Sequence, residues 1–117
     1  MNFPEKKKKT MKKKQEHKKL TGKQKRHLRS LGHHLKPLVI LGRDGITDNV
    51  ISAASAVLGA HELLKVKIGN GCFLEKREAA DDLAAKTGSE LIQILGKTFL
   101  VFRANPDRTD EHRIKLP

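Results

Sequence analysis

Apolar residues become regular at Leu20, and their spacing then alternates between helical and extended. Leu28, Leu31 and Leu35 fall on one face at helical spacing and predict a first helix over 20–35. Thr21 and Gln24, three residues apart, form a capping-box pattern at its start. Lys25, Arg29, His33 and Lys36 share another face, with Arg26 at its edge, so this helix reads as apolar inward and basic outward. Gly32 weakens the last turn and Pro37 ends it. The unbroken run "LVIL" (38–41) suits a strand covered on both sides.

After "GRDG" (42–45), Thr47 is placed to cap a second helix, with Ile46 and Ile51 as a hydrophobic staple. Val50, Ile51, Ala54, Val57 and Leu58 continue its buried face. "LLKVKIG" then alternates, with Leu64, Val66 and Ile68 on one side and Lys65 and Lys67 on the other, as in a half-buried strand. "GNG" (69–71) makes a turn. A third helix is expected over 74–87, with Leu74, Ala79, Leu83 and Ala84 inward and Gly88 as its stop. "ELIQIL", "GK" and "TFLVFR" outline a hairpin. Beyond Ala104 the chain reads as irregular, with Ile114 and Leu116 pinned onto the body. The expected fold is a single compact α/β domain, α-β-α-β-α-β-β, with a four-stranded mixed sheet.

Charge divides the chain in two. Residues 1–19 hold nine lysines and two glutamates and have almost nothing to bury, which predicts a disordered tail ahead of a domain over 20–117. No apolar stretch follows those lysines as a signal peptide requires, and no run approaches the roughly 18 apolar residues of a membrane span. A single cysteine excludes an internal disulfide, and the cytoplasm is the default compartment. A net charge of +12 asks for a polyanion: nucleic acid first, then an anionic membrane or an acidic protein. Surface lysines that only keep a small protein soluble would give the same composition.

The two glycines of "GRDG" stand where a strand passes into a helix. Glycine permits positive φ and lets another backbone come close. Successive N–H groups in such a turn, with a helix N-terminus beyond, can form an anion-binding concavity. Arg43 adds a possible phosphate contact, while Asp44 would repel phosphate unless it points away or serves the turn by tolerating left-handed φ. A plain strand–turn–helix connection would look the same, and no Gly-Lys-Ser/Thr follows to make a Walker A loop.

Other chemistry is sparse. There is no Trp or Tyr; Phe3 lies in the tail, and Phe73, Phe99 and Phe102 read as core, which argues against an aromatic stacking platform. The six histidines are scattered without metal-ligand spacing, so neither a metal nor a cofactor is expected. Cys72 has no nucleophile context, and the adjacent acids Asp81–Asp82 and Asp110–Glu111 suit solvent. No catalytic residue and no small-molecule substrate emerge, and nothing forces a dimer.

Taken together, "LTGKQKRHLRSLGHHLKPLVILGRDGIT", "HELLKVKI", "IQILGKTFLVFR" and "RIKLP" resemble the CRM domain (CRS1–YhbY) family of RNA-binding proteins, in its stand-alone bacterial form, across about residues 20–117. The resemblance implies a fold similar to the C-terminal domain of translation initiation factor three, and RNA binding through the GxxG loop. It further implies association with precursors of the large ribosomal subunit, a role of the bacterial members; plant relatives act in group II intron splicing. Carried over by position, the RNA-binding candidates are Gly42, Arg43, Asp44 and Gly45, with Lys25, Arg26, Arg29 and Lys36 around them. Asp44 departs from the uncharged or basic pair common between those glycines. The expectation is a cytoplasmic, monomeric, non-enzymatic module that contacts large-subunit ribosomal RNA. The alternatives are a basic module for an acidic protein partner and a small phosphate-handling enzyme.

Overall fold

The first helix starts where Thr21 stops it from starting earlier. The Thr21 hydroxyl accepts from the Gln24 N–H at 3.1 Å, and Gln24 Oε1 accepts from the Thr21 N–H at 3.0 Å. In a computed structural model that describes residues 19–117, this reciprocal cap opens α1 (Gly22–Gly32). Apart from Lys19, the tail expected to be disordered lies outside the described residues. There follow β1 (Val39–Leu41), α2 (Asp48–His61), β2 (Leu63–Ile68), α3 (Lys76–Thr87), β3 (Glu90–Leu95), β4 (Thr98–Phe102) and a 3₁₀ turn (Asp110–His112). The element order is the one expected.

The sheet order is β1-β2-β4-β3, with β1 parallel to β2 and the other two pairs antiparallel. Alternation along the strands divides the interior. Val39, Leu41, Leu64, Val66, Phe99 and Val101 meet α2 and α3 on one face. Leu63, Ile92, Leu100 and Phe102 meet Leu28 of α1 on the other, where Ile114 and Leu116 also pack. A register shift between Leu91 and Gln93 lets Leu91 and Ile94 serve the first core while Ile92 serves the second.

Four expectations need correction. First, α1 ends at Gly32, not at residue 35. Gly32 sits on Leu100, where a Cβ would come within 2.5 Å of Cδ2. From there the chain tightens into i→i+3 bonds, His34 N–H to Leu31 O and Leu35 N–H to Gly32 O. Second, β1 is covered on one side only. It is an edge strand whose Ile40 is 60% exposed. Third, Phe99 and Phe102 are core, but Phe73 is 74% exposed. Fourth, the third helix starts later than expected, at Lys76, because Glu75 caps it by accepting from the N–H groups of Arg77 and Glu78.

One buried and one half-buried charge, Glu62 and Arg103, tie the layers together. Glu62 closes α2 with a left-handed φ of 67°, which few non-glycine residues adopt. Its carboxylate accepts from the backbone N–H groups of Asn105 and Ile114, each at 2.7 Å, and from Arg113 Nε at 3.4 Å. The irregular C-terminal segment is thereby fastened to the body. Arg103 donates to Ser55 O and Thr87 O, each at 2.8 Å, and to Ser55 Oγ at 3.1 Å, joining α2 to the end of α3. Burial pushes its guanidinium below its ordinary pKa.

Candidate functional site

The GRDG loop is a hydrogen-bonded turn. The Gly45 N–H donates to Gly42 O at 3.0 Å, so this amide is used by the turn itself. Gly45 has φ 70°, a conformation that favours glycine, and a Cβ there would lie 3.1 Å from Phe73 Cε1, so the ring would have to give way slightly. Gly42 is different. It has no positive φ, and a Cβ would meet nothing within 4 Å. The left-handed residue of the turn is thus Gly45, which removes the turn-forming role considered for Asp44.

The close backbone approach foreseen at this loop occurs beside it, at Gly69. The Gly69 N–H donates to Leu41 O at 2.9 Å, and a Cβ on Gly69 would lie 2.8 Å from that oxygen. This draws residues 69–75 against the turn: Gly71 abuts Arg43, and Phe73 abuts Gly45. Thr47 caps α2 as expected, accepting from the Val50 N–H at 3.2 Å. Asp48 stands in the first helical turn, however, so a carboxylate already faces the positive end of the helix.

The basic candidates do not gather at one point. Arg26 and Arg29 line a shallow hollow with Ser30, His33, His34 and Gln93. Lys25, half-buried, pairs with Glu90 at 3.6 Å. Lys36 lies past the end of α1, on a separate groove bordered by Leu31, Leu35, Leu38 and Lys65. The loop lies beyond the C-terminal end of β1, at the opposite edge of the sheet from β3 and Glu90.

Two lysines not among the candidates lie between these parts. Lys65 borders a second hollow, adjoining the first, which it shares with Arg29, Gly32 and His33. Lys67, exposed, is paired with Ile40 on β1 and Thr98 on β4, and alternation puts it on the α1 side of the sheet. The "KVK" alternation signalled a shared face for them; which face that was depended on where α1 packs. Charge is thereby segregated. Helix α1 carries four basic residues and no acidic one, whereas α3 with its cap carries four acidic and three basic residues.

Among the described residues, no group of three or more His, Cys, Asp or Glu is placed to hold a metal ion, and no helix is long and apolar enough to cross a membrane. Cys72 is half-buried against the larger core.

The model of the CRS1 / YhbY (CRM) domain matches residues 20–103. The chain belongs to this family. All three helices and all four strands of the CRM domain fall inside the match, while the segment held by Glu62 continues past it. The chain is 41% identical over 87 residues to "Probable RNA-binding protein PA4753" of Pseudomonas aeruginosa, covering 74% of this chain and 84% of the relative. It is 38% identical over 98 residues to "Probable RNA-binding protein YqeI" of Bacillus subtilis, covering 84% and 99%. The solution structure of the hypothetical protein SAV1595 from Staphylococcus aureus superposes with a TM-score of 0.69 at 39% identity, covering 84% of this chain and 99% of that one. The mixed four-stranded CRM fold is therefore common to this chain and a solved relative.

Proposed function

We propose that this CRM domain binds RNA in the cytoplasm as a non-enzymatic, monomeric module, and that its target is ribosomal RNA of the assembling large subunit. The observation that carries the reading is the one-sided charge: the face made by α1 and the polar side of β2 is basic, in a family whose relatives are named for RNA binding. Phosphate backbone would lie along Arg26, Arg29, Lys65 and Lys67, with Lys25 and Lys36 at the margins. It would approach the turn at Gly42, where no side chain stands in the way and Arg43 is exposed. Such contacts fix register and orientation more than they read sequence. The lysine-rich tail adds salt-sensitive, sequence-independent attraction.

The test compares the full chain with Gly42→Asp, a change the fold accommodates, on large-subunit ribosomal RNA and on heparin at matched charge. The reading expects the wild type to prefer the RNA, and the substitution to weaken RNA binding more than heparin binding. Equal affinity for both polymers, with no effect of the substitution, would reduce the domain to a polycation.

A further inference from the structure

Among the described residues, Phe73 is the large apolar side chain that the fold leaves most open, with 74% of its surface accessible. A phenylalanine kept out of the core forgoes most of the stabilisation that its burial supplies. Scattered exposed apolar side chains are ordinary on protein surfaces. This one is not scattered: it is held at the turn already described. Its neighbour Leu74 packs, partly buried, against the larger core, and the ring edge lies over Gly45, so that even a methyl group on Gly45 would press on it at 3.1 Å. The same loop sets Gly71 against Arg43. The ring and the arginine therefore flank one turn, and residues 43, 44, 70 and 71 around it are all exposed. No apolar wall encloses the ring as a pocket for a greasy ligand would require. What is offered is one flat aromatic face beside one cation.

We propose that Phe73 stacks on an unpaired base of the bound RNA while Arg43 meets the adjoining phosphate, making the GRDG turn and residues 69–75 a single-strand contact site. The proposal rests on the RNA-binding reading above. An aromatic face accepts any base, since every base has a π surface, but only one that is not already stacked within a duplex. The site thus selects unpaired segments, whereas the α1 face, acting on phosphates, does not.

The full chain contains neither Trp nor Tyr, so Phe73→Trp places one fluorescent reporter at the site. A short single-stranded RNA of mixed sequence, labelled at one end, and a duplex of the same length serve as probes. Stacking predicts that the single strand quenches emission from the introduced indole with the same midpoint as the labelled probe reports. Phe73→Leu keeps apolar bulk against Gly45 but has no ring, and separates stacking from propping of the loop. It should bind the single strand about tenfold more weakly, leaving the duplex unaffected. Wild-type affinity of Phe73→Leu for the single strand, or unchanged indole emission while the labelled probe binds, would overturn the proposal and leave the RNA reading standing. Failure of the wild type to bind either RNA would overturn both.

Discussion

Replacing Glu62 by alanine tests the load this buried side chain carries. Glu62 is 1% exposed, and its two oxygens are divided: Oε1 accepts from the Ile114 N–H, and Oε2 accepts from Asn105 N–H and Arg113 Nε. A hydrogen bond to a charged group contributes about 1.5–3 kcal/mol, so losing the two short ones costs about 3–6 kcal/mol if the segment cannot rearrange. The upper bound is set by the segment itself. Once unfastened, residues 104–117 can peel away, and the cost stops at their packing of Ile114 and Leu116 on the smaller core. Glutamate already bears the left-handed φ of 67°, and alanine would bear it equally. Glycine would not, so Glu62→Gly should be more stable than Glu62→Ala by about 1 kcal/mol. Thermal unfolding followed by circular dichroism reads the total, with about 4–8 °C expected per kcal/mol in a domain of this size. Hydrogen exchange reads the place: the amides of Asn105 and Ile114 should lose protection before those of β2. A melting point within a degree or so of wild type, with those amides still protected, would refute the clamp.

The glycines of the turn should separate cleanly. Gly45→Ala is expected to cost about 1–2 kcal/mol for its left-handed φ, and Gly42→Ala less than about 0.5 kcal/mol, measured as urea midpoints; equal losses would contradict the turn described. Arg103→Lys cannot reach Ser55 and Thr87 together and should destabilise by about 1–3 kcal/mol, again by urea titration. An unchanged midpoint would show that the guanidinium fork is dispensable. Arg26→Gln with Arg29→Gln should flatten the slope of log affinity for single-stranded RNA against log salt by roughly 0.7 per charge removed. An unaltered slope would take the α1 hollow out of the interface.

Much of this architecture could be read from spacing alone. Reciprocal capping by Thr21 and Gln24, the alternation of β2 and the stop at Gly88 are local signals, and each reports a local cause. What could not be read depended on partners distant in sequence. Whether "LVIL" is covered on both sides depends on sheet order, and β1 is at an edge. Whether Phe73 is core depends on where the loop after β2 is drawn, and Gly69 draws it to Leu41 O, leaving the ring outside. The αL closure at Glu62 has no sequence mark, because its partners lie more than forty residues away. For the candidate site, helix periodicity grouped Lys36 with Arg29. The early end of α1 separates them, and Lys65 and Lys67 join the face instead.

The turn itself is a poor electrostatic trap. Arg43 is offset by Asp44, and Asp48 faces the start of α2, so within these few residues the acids outnumber the bases. On the proposed RNA-binding reading, attraction for phosphate then comes mainly from the α1 and β2 face, and the turn contributes access at Gly42 and the neighbouring ring. This division can be tested at Asp44. If Asp44 only repels, Asp44→Asn should tighten RNA binding: a unit charge about 4 Å from a phosphate in water costs about 1 kcal/mol, close to fivefold in affinity. The gain should fade as salt screens the pair over a Debye length of about 8–10 Å. If Asp44→Asn instead weakens binding at every salt concentration, the carboxylate is itself a contact, accepting from a base or a ribose hydroxyl. The turn would then be a recognition element in its own right, and the α1 face would not be the main source of affinity.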